Sequence, residues 1–375
     1  MERNKDLVLI VGNSDVGFYK FRRELLPELQ RDGKQIVVVF PEGPFRKKLE
    51  DLGCNYISIP INRRGTNVFQ ELLLFFRYYK VVKQVKPEVA LTYTIKPNIY
   101  VNLICQHFRI PVASNITGLG SAVENAGPLR SLTVFLYRLA LRRTKCVFFQ
   151  NRENLEFFQE RKICSCRKEL IPGSGVNLKE FVSLPYPTGT GAEFLFVGRI
   201  MREKGIEQFL DVAEAIKARH PETQFTIIGT LEEQVYKERI GKLEEQGIVR
   251  FEGAQEDVHP FLRRCSCVLH PTYYPEGMSN VLLEAAASGR PVITTGRSGC
   301  GEIVDDGRTG FIARERDSQD FIEKVEAFLK LSTEQRAEMG RLGREKVARE
   351  FDRQLVMDRY REVVAEMTKE GRSQL

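Results

Sequence analysis

The chain has 375 residues, long for a single core and comfortable for two domains. Hydrophobic residues make up 42% and charged residues 29%, an ordinary globular balance, and no run approaches the roughly 18–20 uncharged apolar residues of a membrane-spanning helix. The formal net charge of +7 is uneven, with +12 on residues 1–190 and −5 on residues 191–375, so the two halves should meet different partners.

Leu7–Val11 is too short an apolar run for a secretory leader and leads into a glycine turn, which predicts a first buried strand. Further strands are expected at Gln35–Phe40, Tyr56–Ile59, Val89–Thr92, Val112–Asn115 and Cys146–Gln150, with helices around 18–31, 67–85, 96–107, 129–143 and 152–161. That β-α-β-α cadence predicts a parallel, doubly wound sheet. It breaks at Leu184-Pro-Tyr-Pro-Thr-Gly-Thr-Gly191, which reads as a linker. It then restarts, with strands at Glu193–Val197, Gln224–Ile228, Val249–Phe251, Cys267–His270 and Pro291–Thr295 and helices near 204–219, 232–246, 278–289 and 318–330. Charged helices over 333–349 and 352–370 close the chain. The expected division is therefore 1–183, 192–351 and a terminal segment 352–375.

The most informative stretch is Tyr274-Pro-Glu-Gly-Met-Ser-Asn-Val-Leu-Leu-Glu284. It spaces Glu276 and Glu284 eight positions apart, about 12 Å if the whole step is helical. Two carboxylates at that span suit sugar hydroxyls at both ends of a ligand. The backbone N–H groups of Gly277, Met278 and Ser279, with Asn280 opening the helix, are expected to take a diphosphate between them. A second motif, Phe196-Val-Gly-Arg-Ile-Met-Arg-Glu-Lys-Gly205, follows the first strand of the second domain. Gly198 permits a tight turn there. Arg199 and Lys204 are cations at a helix start that can neutralise a leaving diphosphate. A solvated helix start is the alternative for that pair alone, and a surface or buried structural carboxylate for each glutamate.

Together these motifs resemble the retaining, nucleotide-sugar-dependent glycosyltransferases of family 4, with its Glu-x7-Glu signature and GT-B fold of two Rossmann-like domains facing across a cleft. The resemblance implies that Arg199 and Lys204 hold the donor diphosphate, that Glu276 meets the transferred sugar and that Glu284 meets the ribose. It implies a nucleobase loop at Val249-Arg-Phe-Glu-Gly253, with Gly253 at its turn, and a terminal helix that crosses back to the first domain. It also implies retention by front-face attack, with the departing phosphate oxygen accepting the acceptor's proton. Arg199, Lys204 and Glu276 would then be the residues of the reaction.

In the first domain Val11-Gly-Asn-Ser-Asp-Val-Gly17 lacks GxGxxG spacing, so no dinucleotide cofactor is expected. By resemblance this loop faces the donor, and Gly17 is the expected point of close approach. Asn115-Ile-Thr-Gly-Leu-Gly-Ser121 departs from many family members, which carry a histidine where Thr117 stands. Thr-Gly-Leu-Gly resembles the branch that builds bacterial surface polysaccharides on lipid carriers. Lys20, Arg22, Arg23 and Lys96 are candidates for an acceptor's phosphates. Of the four histidines, His270 ends a strand and is the one expected near the site, most simply as packing.

No Asp-x-Asp ends a strand, so neither metal nor cofactor is expected beyond a UDP-sugar as donor substrate. The eight cysteines include no CxxC, and Cys164-Ser-Cys166 and Cys265-Ser-Cys267 read as reduced core residues. An anionic membrane surface fits the basic half better than nucleic acid, for which no signature motif is present. Helices Phe69–Val85 and Leu129–Arg143 carry apolar faces edged with cations. Leu132, Val134, Phe135, Tyr137 and Leu139, with Arg138, Arg142, Arg143 and Lys145, would suit interfacial contact.

The expectation is a transfer of a HexNAc or hexose from a UDP-sugar to a polyprenyl-diphosphate-linked glycan, at the cytoplasmic face of the plasma membrane. Alternatives are a nucleotide-sugar epimerase of similar fold, which needs paired acids and bases, and a non-catalytic sugar-nucleotide-binding subunit, against which the intact motif residues argue.

Overall fold

Residues 3–62, 65, 67–119, 127–189 and 191–373 are described by a computed structural model. The chain divides into two units, Met1–Ser174 with Gln354–Leu375, and Gly175–Arg353. The division falls at Ser174/Gly175 rather than near residue 183. Phe181 and Leu184 pack into the second unit's core beside Leu262 and Leu282, which draws the expected linker into that unit.

The first unit is built on seven strands: β1 (Asn4–Val11), β2 (Gln35–Phe40), β3 (Asn55–Ser58), β4 (Pro87–Tyr93), β5 (Val112–Ile116), β6 (Cys146–Phe149) and β7 (Arg167–Leu170). They lie in the order β3-β2-β1-β4-β5-β6-β7, and every pairing is parallel. Helices α1 (Asp15–Arg22), α2 (Leu25–Arg31), α3 (Arg46–Asp51), α4 (Val68–Val85), α5 (Ile95–Phe108), α6 (Pro128–Ala140) and α7 (Arg152–Glu160) connect them. Both faces of the sheet are covered, which is why β1 reads as a continuous apolar run. Val8 and Ile10 pack to one side with α1 and α2, Leu7, Leu9 and Val11 to the other with α4 and α5. The segment expected as one helix over 18–31 is two, α1 ending at Arg22 and α2 beginning at Leu25.

On α6 the apolar residues divide. Val134 and Tyr137 are buried against the sheet, contrary to the expectation that they face outward, because they lie on the stripe that covers β5 and β6. Leu129, Leu132, Phe135 and Leu139 remain 43–54% exposed, and Val68, Phe69, Leu72, Leu73 and Phe76 on α4 are 51–83% exposed.

The second unit carries β8 (Glu193–Val197), β9 (Gln224–Ile228), β10 (Arg250–Phe251), β11 (Cys267–His270), β12 (Val292–Thr295) and β13 (Gly310–Ala313), parallel in the order β10-β9-β8-β11-β12-β13. Its helices are α8 (Ile206–Arg219), α9 (Tyr236–Glu245), α10 (His259–Arg264), α11 (Asn280–Ala287), α12 (Ser318–Leu329) and α13 (Thr333–Glu350). Helix α14 (Arg353–Ser373) returns the chain to the first unit. There Val356, Tyr360, Val363 and Met367 join the core with Phe148, and the Tyr360 hydroxyl donates to Asn115 Oδ1 at 2.5 Å.

Candidate functional site

The second sheet reverses its winding between β8 and β11, and ligands of such sheets bind beyond the carboxyl ends of the strands at that reversal. Both sequence motifs sit there. The loop after β8 passes through a 3-10 turn at Arg202–Lys204 into α8, and the loop after β11 runs from Pro271 to Ser279. Tyr273 N–H and the Thr272 hydroxyl both donate to the Glu203 carbonyl, at 2.9 and 3.2 Å, which ties the two loops together. Gly205, at φ 77°, lies so close that a Cβ would stand 2.1 Å from the Pro271 carbonyl oxygen.

The floor of the site is backbone. Gly198 N–H donates to Ile228 O at 3.0 Å, and Gly229 N–H to Gly253 O at 2.8 Å, linking the ends of β8, β9 and β10. The crowded position is Gly229, which the sequence reading did not single out: a Cβ there would fall 1.6 Å from the Gly198 carbonyl oxygen. A Cβ on Gly198 would meet nothing closer than the Phe196 ring at 3.8 Å, and one on Gly253, at φ 67°, would meet nothing within 4 Å. A strand followed by a lone glycine, as in Ile227-Ile228-Gly229, was the available signal.

Two cations converge over this floor. The Arg199 guanidinium lies 5.0 Å and the Lys204 ammonium 5.1 Å from the centroid of the Tyr274 ring, so one aromatic ring attracts both. Arg199 also bonds Glu232 at 2.9 Å. Lys204, almost wholly buried, forms a hydrogen-bonded ion pair with Glu276 Oε1. Burial alone would raise the Glu276 carboxyl, but the Lys204 charge and His270 outweigh it and hold it at about 2. A carboxylate so depressed accepts hydrogen bonds at neutral pH and has no proton to donate, and it is a weak base.

His270 lies 3.8 Å from Glu276 and bonds Ser279 Oγ through Nε2 at 3.1 Å. Burial pushes its pKa down, although Glu276 pulls the other way, so the ring is neutral at physiological pH. Its Nδ1 has no hydrogen-bond partner among the described residues. The histidine fixes the turn that carries Glu276.

The helix start differs from expectation. Helix α11 begins at Asn280, and Ser279 N–H donates to Gly299 O at 2.8 Å, so it is already engaged within the protein. The step from Glu276 to Glu284 is therefore part turn and part helix. Glu284 stands only about 6 Å along the axis from Asn280, not a full helical step from Glu276. Glu284 and Asn280 are half-buried while Leu283 and Ala285 on either side of Glu284 are buried, which turns the carboxylate off the core stripe. Gly277 and Met278 are buried beside the brace that sequence reasoning missed, the glycine-rich loop after β12. In that loop Gly299 N–H and the Ser298 hydroxyl bond Glu302 at 2.7 and 3.1 Å, and a Cβ on Gly299 (φ 86°) would meet the Gly277 carbonyl at 2.7 Å.

First-unit candidates fare differently. Gly17 lies in the first turn of α1, with its N–H donating to Ser14 Oγ at 3.1 Å and ordinary contact room at its Cβ position. Tight glycines of that unit include Gly12, where a Cβ would meet the Phe40 ring at 2.7 Å, and Gly43, where it would meet the Asp15 carboxylate at 2.2 Å. Lys96 is consumed internally, donating to Asn62 O at 2.7 Å, Gly65 O at 2.8 Å and Glu71 Oε1 at 2.5 Å, which removes it as an acceptor-phosphate ligand. Arg22 is buried, with its guanidinium 4.9 Å from the Tyr93 ring centroid, and Arg23 lies 5.1 Å from that of Tyr19. Lys20 is exposed in the last turn of α1. Thr117 follows the carboxyl end of β5 and is half-buried, while Gly120 and Ser121 of its loop lie outside the described residues. Beside it, at the end of β4, Thr94 takes φ 73°, a strained conformation for a β-branched residue.

Residues 187–346 match the family model for glycosyl transferases group 1, and residues 8–151 that for glycosyl transferase 4-like domains. The chain is 26% identical over 341 aligned positions to an N,N'-diacetylbacillosaminyl-diphospho-undecaprenol alpha-1,3-N-acetylgalactosaminyltransferase of Campylobacter jejuni, covering 85% of this chain and 88% of that protein. A glycosyltransferase from Rickettsia africae shares the fold with a TM-score of 0.81, at 18% identity over 98% of this chain and 99% of its own. Anabaena HepE in complex with UDP-glucose shares it with a TM-score of 0.77, at 17% identity over 96% and 99%. Each doubly wound unit thus carries one glycosyltransferase family model, 4-like on the first and group 1 on the second, and the chain is a glycosyltransferase with the GT-B fold.

Proposed function

We propose that this glycosyltransferase moves a HexNAc or hexose from a UDP-sugar, with retention, to a polyprenyl-diphosphate-linked glycan during assembly of a surface polysaccharide or glycoprotein glycan. The observation that carries the donor reading is the convergence of Arg199 and Lys204 on one ring beside an ionised Glu276. Two cations there neutralise a diphosphate and stabilise the charge that grows as it departs. Glu276 accepts from hydroxyls of the transferred sugar and Glu284 from the ribose. The glycine floor at Gly198, Gly229 and Gly253 lets the nucleotide approach the backbone.

Glu276 is ionised and a weak base, and burial of the His270 ring weakens it as a base as well, so in this reading neither carries the proton in flight. In this reading the leaving phosphate oxygen accepts the acceptor's proton, and catalysis rests on positioning and charge stabilisation, without a metal. The lipid-linked acceptor is supported by the diphospho-undecaprenol-linked substrate of the Campylobacter relative, and UDP as the nucleotide by the HepE complex. Among the described residues no helix is long and apolar enough to cross a membrane. The exposed apolar residues of α4 and α6, beside Arg138, Arg142 and Arg143, support peripheral contact with an anionic inner leaflet.

The test is UDP release from a panel of UDP-sugars, with and without a bacterial membrane lipid extract, in buffer containing EDTA. Extract-dependent release that survives EDTA is the expected result. Release that is unaffected by extract would reject a lipid-linked acceptor, and release that requires added metal would reject metal-independent transfer.

A further inference from the structure

Seven of the eight cysteines are buried, and Cys166 is the exception. Read from the sequence as a core residue, it is only half-buried, and Ser165 beside it is exposed. Cys164 and Cys166 lie in the irregular segment before β7, and both pack on one apolar cluster with Val147, Phe158 and Ile163. Alternate residues of an extended chain point to the same side, which turns the two thiols inward together and leaves Ser165 outside. The Cys166 S–H donates to the Cys164 sulfur. Ser165 and Cys166 also line a hollow of about 490 Å³, so a small reagent reaches the pair from the Cys166 side.

Their surroundings set these two sulfurs apart from the rest. Burial pushes the thiols of Cys54, Cys105, Cys146 and Cys265 up to about 12, where almost none is thiolate. Cys164 moves the other way: the Cys166 hydrogen bond lowers it against the effect of burial, and the Lys168 charge helps. Cys166 is raised in return, so the pair gives up a first proton readily and holds the second. The thiolate is the nucleophile of sulfur oxidation, and a neighbouring thiol converts the first product into a disulfide. Two cysteines that merely fill space beside β6 would account for the burial of Cys164. They would account for neither the exposure of Cys166 nor the sulfur–sulfur hydrogen bond.

We propose that Cys164 and Cys166 form a reversible oxidation site, at which a peroxide closes the pair into a disulfide. The thiolate attacks one peroxide oxygen; an S–O bond forms, the O–O bond breaks, and the departing hydroxide takes a proton and leaves as water. The second thiol then attacks the sulfenic sulfur, forming S–S as S–O breaks, and its proton leaves with the oxygen as a second water. Two thiols are oxidised and one peroxide is reduced to two waters. Reach sets the character of the bond. Two extended residues span about 6.6–7.2 Å between Cα atoms, and disulfides need roughly 6.8 Å or less. The chain already bends at Cys166, so closure needs a small further pinch and leaves the bond strained. A strained disulfide is readily reduced, which makes the site reversible. It belongs to the first unit and is independent of the donor reading.

The test is a peptide map of the reduced full chain after treatment with hydrogen peroxide, alkylation with iodoacetamide and digestion with trypsin. One tryptic peptide, 163–167, holds both cysteines. In wild type it should become two hydrogens lighter and unalkylated, and dithiothreitol should restore its alkylation. Cys54 and Cys105 lie about three units above an ordinary thiol at 9.0, a roughly 1,000-fold thiolate deficit. Their greater basicity returns about half of that on a logarithmic scale, so the pair should oxidise at least about 30-fold faster.

Cys166→Ser removes the partner, and peptide 163–167 should then carry a dimedone adduct of the Cys164 sulfenic acid in place of the disulfide. Cys146, close to Cys166 from the neighbouring strand, is the competing partner, and Cys146→Ser should leave the wild-type result unchanged. Phenylarsine oxide bridges two close thiols with loss of one water. It should protect both cysteines of reduced wild type from alkylation, a reading of their closeness that needs no variant. A cross-link between peptide 163–167 and that of Cys146 would overturn the site. So would oxidation no faster than at Cys54, a Cys166→Ser protein without the adduct, or no protection by the arsenical.

Discussion

The Lys204–Glu276 pair sets a stability signature that can be read without any substrate. Glu276 is held at about 2 against an ordinary value of 4.5, a displacement worth about 3 kcal/mol at 1.36 kcal/mol per unit. Because the folded value lies below the unfolded one, this contribution is fully present above pH 4.5 and is lost as the pH falls toward 2. Lys204→Met keeps the side-chain volume and removes the charge, leaving a largely buried carboxylate without its cation. For a unit the size of Gly175–Arg353, 1 kcal/mol moves Tm by roughly 2–4 °C, so the variant should melt about 6–12 °C lower at pH 7. The gap should narrow between pH 4.5 and about 2.5, where wild type loses the same contribution. Lys204→Met/Glu276→Gln, with both charges gone, should recover most of the loss. Differential scanning calorimetry of the three proteins across that range decides the matter. A Lys204→Met protein within about 1 °C of wild type at pH 7, or a gap that does not change with pH, would refute the assigned pairing.

Arg199→Ala should lower kcat by roughly 30- to 1,000-fold, since its charge matters most as the diphosphate departs, and near-normal turnover would place the diphosphate elsewhere. Glu284→Gln should weaken UDP itself in calorimetry, whereas Glu276→Gln should leave UDP affinity nearly intact and impair transfer; equal losses would reject the division between ribose and sugar. Gly229→Ala, which puts a Cβ 1.6 Å from the Gly198 carbonyl, should displace the floor and reduce UDP affinity sharply. Gly253→Ala, with open space but φ 67°, should cost only about 1–2 kcal/mol of stability. If Gly229→Ala binds UDP like wild type, the backbone floor is not part of the donor site.

Much of this protein was legible in its sequence because parallel strands buried on both faces must be apolar along their whole length. Gln35–Phe40, Glu193–Val197, Gln224–Ile228 and Cys267–His270 therefore announced themselves with their observed limits. The motif loops were legible for a related reason, since a glycine and a charge at a strand-to-helix turn have few purposes inside a core. Edge strands carry no such signal. β7 reads Arg-Lys-Glu-Leu and is a strand only because β6 lies beside it, pairing Phe149 with Leu170.

Charge partnerships were equally hidden, because a salt bridge has no local pattern and its partner arrives from elsewhere in the chain. Lys96 looked like a phosphate ligand until Glu71, 25 positions away, was found to hold it. Ser279 N–H looked available to an anion until the loop at Gly299 capped it. Residues 175–183 looked like the end of the first domain until Phe181 was found in the second core. Residue types and their order thus determined the winding, the family motifs and the acid-base inventory. Tertiary packing alone decided which cations remain for a ligand and how low Glu276 titrates, because field and burial depend on neighbours as distant as Lys204, 72 positions away.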